Sequence, residues 1–167
     1  MRKSGVGAEV HGESNANIGV EEYDQEVRKL LDRLTEELMH SRSAEGNPCC
    51  RVLNRNFSEV GSAGELRELI RQCKVVFINF YSTYCPHCMV FDRVFRTVGA
   101  RYSRNALFIR VNVMVSPDIA VAFYVMGVPT TVAIVDGAEV DRVIGLVPPR
   151  DFDVFVRRVI ESHPCNE

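Results

Sequence analysis

The sequence predicts an α/β fold in which helices flank a central mixed β-sheet, and two observations lead to this prediction. First, 167 residues with 46% hydrophobic content suffice for one compact domain of about 150 residues plus a short appendage. Second, apolar stretches typical of strands alternate along the chain with amphipathic stretches at helical spacing. After the first 50 residues, the predicted order of elements is β-α-β-α-β-α-β-β-α.

The first 50 residues differ in composition from the rest of the chain. Residues 1–19 are rich in Gly, Ser, Asn and charge, and are too polar to offset the entropy of ordering, so we expect disorder there. An amphipathic helix is predicted over 20–40 and a linker over 41–50. The apolar stripe of this helix needs a partner, which is either the main domain or a second copy of the chain. The stripe consists of Val20, Tyr23, Val27, Leu30, Leu31, Leu34 and Leu38.

The main domain is predicted over 51–162, and its elements differ in apolar spacing. Residues 75–81 are a nearly continuous run of β-branched and aromatic side chains, which is typical of a central strand buried on both faces. Pro86 suits the first turn of a helix, where its missing N–H costs nothing, and an Asp-Gly pair at 136–137 indicates a β-hairpin. The predicted strands cover 51–57, 75–81, 106–113, 130–135 and 139–144, the predicted helices cover 63–72, 86–102, 116–124 and 150–162, and a tail covers 163–167.

Charge and hydropathy exclude several classes of protein. With 20 basic and 22 acidic residues, the formal charge of −2 offers no footprint for a phosphate backbone, so we expect no nucleic-acid partner. No stretch approaches the roughly 20 apolar residues of a membrane span. The N-terminus lacks the apolar segment of a secretory signal, so we expect an intracellular, cytoplasmic protein. Six cysteines among 167 residues are a share well below the level of about 8–10% that marks a disulfide scaffold.

The segment Cys85-Pro86-His87-Cys88 lies where the central strand gives way to a helix. Two cysteines at this spacing can close a small disulfide ring, and the first faces the unpaired N–H groups and positive dipole end of the helix, which stabilise its thiolate. We expect Cys85 to attack disulfides as the nucleophile and Cys88 to resolve the mixed disulfide. The alternatives are half of a zinc site, although a second pair at zinc spacing is missing, or an inert structural pair.

Three motifs follow one another along the chain: the strand that leads into Cys-x-x-Cys and a helix, then Gly-Val-Pro-Thr-Thr at 127–131, then the Asp-Gly hairpin followed by Gly145. In this order they resemble the thioredoxin-fold thiol-disulfide oxidoreductases, and the resemblance covers about 54–162. It implies that Pro129 is a cis-proline facing the active-site cysteines. It also implies that the backbone of Val128, with Thr130 beside it, pairs with an extended substrate segment.

The Pro86-His87 dipeptide departs from the Gly-Pro of most thioredoxins and resembles that of the DsbA-like disulfide oxidases. A protonated His87 beside the Cys85 thiolate would favour the reduced form and make the couple more oxidising. Only 40 residues separate Cys88 from Pro129, which leaves no room for the inserted helical domain of that family. We therefore expect a thioredoxin-sized domain with a potential above that of ordinary thioredoxin.

Four further positions depart from the thioredoxin pattern. Asn79 stands where thioredoxins carry a buried aspartate, and Arg110 takes the place of a companion lysine. Because an amide cannot take a proton, no acid–base relay through position 79 follows from the resemblance. Tyr81 and Tyr84 stand where thioredoxins place tryptophans, and the chain has no tryptophan. Tyr84 is the candidate to shield the disulfide and contact substrate, with ordinary packing as the alternative.

The other four cysteines permit three pairings. Cys73 is most simply a small buried apolar residue. Disulfides are rare inside most cells, so a structural bridge is not the default interpretation. A second redox pair that relays electrons to Cys85 and Cys88 is the alternative. The remaining cysteines are Cys49, Cys50 and Cys165.

The leading hypothesis is a protein thiol-disulfide oxidoreductase that needs no cofactor and acts on disulfide-containing client proteins. Its redox partner would be a thioredoxin-reductase-like electron donor or an oxidant. One alternative is an interaction module in which the helix over 20–40 binds a partner or forms a homodimer. Another is a zinc-binding protein.

Overall fold

The computed structural model describes Gln25, Lys29 and residues 49–165. Gln25 and Lys29 are both helical. Three predictions lie outside these residues: the disorder over 1–19, the remainder of the helix over 20–40 and the linker up to position 48.

The described residues 49–165 belong to one unit, which is built on a four-stranded sheet. Its strands are β1 (Val75–Tyr81), β2 (Leu107–Asn112), β3 (Thr130–Val135) and β4 (Ala138–Ile144), and its helices are α1 (Ala63–Gln72), α2 (Pro86–Tyr102), α3 (Pro117–Ala122) and α4 (Pro149–Ser162). The strand order is β2-β1-β3-β4, with β1 and β2 parallel and the other pairs antiparallel. This mixed sheet with flanking helices confirms the predicted fold class. None of the helices within residues 49–165 has the length and apolar character to cross a bilayer.

The central strand β1 is buried on both faces, as its continuous apolar run predicts. Val76, Ile78 and Phe80 belong to one core cluster, which includes residues of α1 and α3. Val75 and Phe77 belong to the other, which contains apolar residues of α2 and α4. The second cluster is rich in aromatic rings, namely Phe91, Phe95, Phe108, Phe152 and Phe155. Because helices cover both faces, β1 holds a fixed position, and so does the chain that leaves its carboxyl end.

The prediction of a strand over 51–57 is wrong. Leu53–Arg55 form a 3-10 helix instead, and Phe57 has a φ of 63°, which a strand does not allow. The side chain of Asn56 accounts for the difference, since it donates to the carbonyls of Leu53 and Ser103 and accepts from the N–H of Phe108. The other elements predicted within residues 63–162 are present, with ends that differ by at most two residues.

Two disulfides join both ends of the domain at the amino end of β1. Cys49 is bonded to Cys165, and Cys50 to Cys73. Cys73 is buried, as predicted, but it is half of a disulfide rather than only a small apolar residue. Lys74 strengthens this junction, because its N–H donates to the carbonyl of Cys49 and its Nζ lies 2.7 Å from the carbonyl oxygen of Pro164.

We expect the Cys49–Cys165 disulfide to stabilise the folded domain by an amount that unfolding experiments can measure. It spans 116 positions in sequence, so it removes much of the conformational freedom of the unfolded chain. Cys165→Ser should lower the free energy of unfolding by roughly 3–5 kcal/mol. Urea unfolding without reductant measures this difference. In excess dithiothreitol, which opens the disulfide, variant and wild type should unfold at the same urea concentration. Identical curves without reductant would contradict the contribution assigned to the cross-link.

Candidate active site

Cys85 is the N-cap residue of α2 and its sulfur accepts a hydrogen bond at the helix terminus. The Sγ atom lies 3.1 Å from the backbone nitrogen of Cys88, which donates to it. Pro86 occupies the first turn, where no N–H is needed. The N–H of Cys85 itself donates to the carbonyl of Ser82, 3.3 Å away, which closes the turn between β1 and the helix. The unpaired N–H groups of α2 thus face the sulfur of Cys85.

The two cysteines are joined in a disulfide and differ in accessibility. Their Cα atoms are 5.2 Å apart. Cys85 is half-buried, whereas Cys88 is only 2% exposed. Pro86 and His87 are exposed, and Tyr84 is 88% exposed. An attacking thiol or disulfide from another molecule therefore has access to Cys85 and not to Cys88.

The loop before β3 faces Cys85 from the other side. The carbonyl oxygen of Val128 lies 3.8 Å from the Sγ of Cys85, and the Val128–Pro129 peptide bond is cis. Thr130 is 2% exposed, and its hydroxyl donates to the carbonyl of Gly127 at 2.7 Å. The hydroxyl of Thr130 therefore holds the loop in shape, and the half-buried backbone of Val128 borders the disulfide.

A row of polar side chains crosses the sheet on the face that α2 covers. Asn79 on β1 pairs in register with Arg110 on β2 and with Thr131 on β3. Asn79 and Thr131 are fully buried, and within the described residues the amide of Asn79 and the hydroxyl of Thr131 have no hydrogen-bond partner. An aspartate at position 79 would be an unpaired buried charge, which is costly, and the neutral amide avoids that cost.

Arg110 has its charge partner on α2. Its Nε lies 2.9 Å from Oδ1 of Asp92, an ion pair without hydrogen-bond geometry, and its guanidinium carbon lies 4.2 Å from the centre of the Tyr81 ring. The other oxygen of Asp92 accepts from Nε of Arg96 at 2.8 Å. The Tyr81 hydroxyl donates to Glu59 at 2.6 Å. Burial, and then this hydrogen bond, raise the pKa of the Tyr81 phenol.

The side chains of Cys88, Asp92, Arg110 and Tyr81 line one cavity of about 300 Å³. Sequence reasoning singled out three of these four residues but missed Asp92. The signal was present, because Asp92 lies four positions after Cys88 and therefore on the same face of α2. Its contact with Arg110 joins a helix to a strand and is not visible in the local pattern.

The described part of the chain contains no cluster of side chains that could bind a metal ion. Within it, no three side chains of His, Cys, Asp or Glu lie close enough together to hold an ion. The six cysteines are paired in three disulfides.

Comparison with known proteins agrees with this geometry. The thioredoxin family model matches residues 58–158. A thioredoxin of Mycoplasma genitalium is 32% identical over 91 residues, which are 54% of this chain and 88% of that protein.

Solved structures show the same likeness. A mutant thioredoxin from Halobacterium salinarum superposes with a TM-score of 0.60 at 27% identity, covering 65% of this chain and 95% of that one. The oxidised mitochondrial thioredoxin 3 of Saccharomyces cerevisiae superposes with a TM-score of 0.57 at 27% identity, and the match covers 61% of this chain and 94% of that one. With a family match over more than half of its length, this chain belongs to the thioredoxin family and is a thiol-disulfide oxidoreductase.

Proposed function

We propose that the chain exchanges disulfides with client proteins through Cys85 and Cys88, with Cys85 as the nucleophile. The observation that carries this proposal is the hydrogen bond from the N–H of Cys88 to the Sγ of the half-buried Cys85. An N–H donor and the positive end of a helix both favour a thiolate over a thiol. The buried Cys88 is placed to react only with the sulfur next to it.

The proposed reduction of a client has two steps. The thiolate of Cys85 attacks the client disulfide, so that one client sulfur bonds to Cys85 and the other leaves as a thiolate. Cys88 then attacks Cys85, the second client sulfur leaves, and the Cys85–Cys88 disulfide remains. The client gains two electrons and the dithiol loses two. Oxidation of a client is the same sequence in reverse.

The loop at Val128 and Pro129 supports client binding beside Cys85. The carbonyl of Val128 already lies at the sulfur, so an extended client segment that pairs with this backbone would bring its own sulfur to the same place. The exposed ring of Tyr84, which precedes Cys85 in the chain, offers an apolar contact for a client. We assign Thr130 a supporting part, because its hydroxyl is engaged with Gly127.

We further propose that the couple is more oxidising than that of ordinary thioredoxin. His87 follows Cys85 at the exposed start of α2, and a protonated imidazole there would stabilise the thiolate, hence the reduced form. The redox partner is a thioredoxin-reductase-like donor if the chain reduces clients, and an oxidant if it oxidises them. The two additional disulfides favour an oxidising environment, whereas a cytoplasmic location stays a prediction.

Substitution of the two cysteines tests the order of attack. Cys85→Ser should abolish the reduction of insulin disulfides, because the thiol that remains, Cys88, is too buried to make the first attack. Cys88→Ser should accumulate a covalent complex between Cys85 and the client, seen by non-reducing electrophoresis and peptide mass spectrometry. Cys165→Ser, which lies outside the site, should retain activity and serves as the control. Turnover by Cys85→Ser would refute the assignment.

The redox potential tests the effect of His87. Equilibration with glutathione should give a Cys85–Cys88 potential above about −270 mV, the value of thioredoxin. His87→Ala should lower this potential by roughly 30 mV, because a cation beside the thiolate is lost. The matched control is His163→Ala at the end of α4, which should leave the potential unchanged. A wild-type potential at or below that of thioredoxin would disprove the effect.

A further inference from the structure

The second chemical step poses a problem that the proposed function leaves open. Cys88 must become a thiolate to attack Cys85, yet it is 2% exposed. Burial in an apolar environment opposes the charged form of a thiol. A group that can accept the proton of Cys88 inside the site would remove this obstacle.

Asn79 cannot accept the proton of Cys88, since an amide does not take up a proton at neutral pH. Tyr81 cannot serve either, because its phenol has a raised pKa and donates its proton to Glu59. Arg110 is a permanent cation. Among the described residues that line the cavity beside Cys88, Asp92 is the one carboxylate.

Asp92 is well placed relative to Cys88. The two residues lie one helical turn apart on the same face of α2, and both line the cavity of about 300 Å³. A cavity of this size has room for solvent to carry a proton between them. Asp92 is only 27% exposed, so it belongs to the site more than to the surface of the helix.

We propose, on the basis of the proposed function, that Asp92 accepts the thiol proton of Cys88 when this cysteine attacks the mixed disulfide on Cys85. In this proposal the proton acceptor is Asp92 on α2, whereas position 79 on β1, where thioredoxins carry an aspartate, holds an amide. The charged groups around Asp92 are Arg96 on its own helix and Arg110 on β2, with Tyr81 and Glu59 beyond Arg110. The carboxylate of Asp92 contacts both guanidinium groups and still has lone pairs free to accept a proton.

The S–H bond of Cys88 breaks and its proton goes to the carboxylate of Asp92. The electron pair on the Cys88 sulfur forms the bond to Cys85 Sγ, and the bond between Cys85 and the client sulfur breaks. The client sulfur leaves as a thiolate and takes the electron pair of the bond that broke. The proton on Asp92 then passes to solvent or to this thiolate, and Asp92 is again a carboxylate.

Substitution of Asp92 distinguishes proton transfer from simple electrostatics, because the two predict opposite signs. If Asp92 accepts the proton, Asp92→Asn slows the second step. If Asp92 acts only as a negative charge, the same substitution leaves Arg110 beside Cys88 without its charge partner, stabilises the thiolate of Cys88 and speeds the step. Asn keeps the shape of the side chain and can still accept a hydrogen bond from Arg96.

The chromogenic disulfide dithiodipyridine separates the two steps in a stopped-flow experiment on the full chain. Attack by Cys85 releases the first thiopyridone and attack by Cys88 releases the second. Protein carrying Cys88→Ser shows the first phase alone and so identifies it. Asp92→Asn should slow the second phase roughly tenfold or more, with the first phase nearly unchanged. Asp92→Glu should restore much of the rate.

The pH dependence provides a second readout. In the wild type, the second phase should be nearly independent of pH around neutrality, whereas in Asp92→Asn it should rise with pH, because hydroxide must then remove the proton. The matched control is Asp153→Asn, a carboxylate of similar exposure that pairs with Arg101 on the far part of α2. It should change neither phase.

A second phase that is unchanged or faster in Asp92→Asn overturns the proposal, as does equal slowing of both phases. If Asp92→Asn does not fold, the wild-type profile decides: a second phase that rises tenfold per pH unit through neutrality overturns it, and a level one supports it. If the wild type releases no thiopyridone at all, the proposed function fails, which is a separate result.

Discussion

Burial of β1 on both faces fixes the positions of the elements around it. Its residues from Val75 to Phe80 are all buried between two helical layers, so the strand can move neither along nor out of the sheet. The chain leaves it at Tyr81 and, within four residues, begins α2 with Cys85 as N-cap. The sulfur of Cys85 thereby lies close to the end of a fixed strand and at the positive end of a helix, a position that favours a thiolate.

Burial also shapes the arrangement of charges beside Cys88. The buried position 79 on β1 carries a neutral amide, and the negative charge stands on α2 as Asp92, between Arg96 and Arg110. Arg110 is held by Tyr81 on one side and by Asp92 on the other. The charge balance behind the dithiol is thus kept with a different arrangement of side chains, which is the basis for assigning a role to Asp92.

Local patterns in the sequence predicted most of the fold and the two cysteines of the site. The burial of β1, the helix that begins at Pro86 and the hairpin at 136–137 each follow from residues that are neighbours in the chain. The 3-10 helix at Leu53–Arg55 could not be predicted from neighbouring residues, because the side chain of Asn56 forms hydrogen bonds with partners about 50 positions away. Cysteine pairing and the ion pair of Asp92 with Arg110 likewise depend on contacts that only the folded chain creates.

In the proposed function, Cys85–Cys88 is the exchanging disulfide and Cys85 is its reactive sulfur. Alkylation after treatment with one equivalent of reductant tests it most directly, with the labelled peptides identified by mass spectrometry. The structure predicts that the label falls on Cys85, since Cys88 is buried and the Cys49–Cys165 and Cys50–Cys73 disulfides stay closed. Label found first on Cys165 or Cys49, with Cys85 unmodified, would contradict the account.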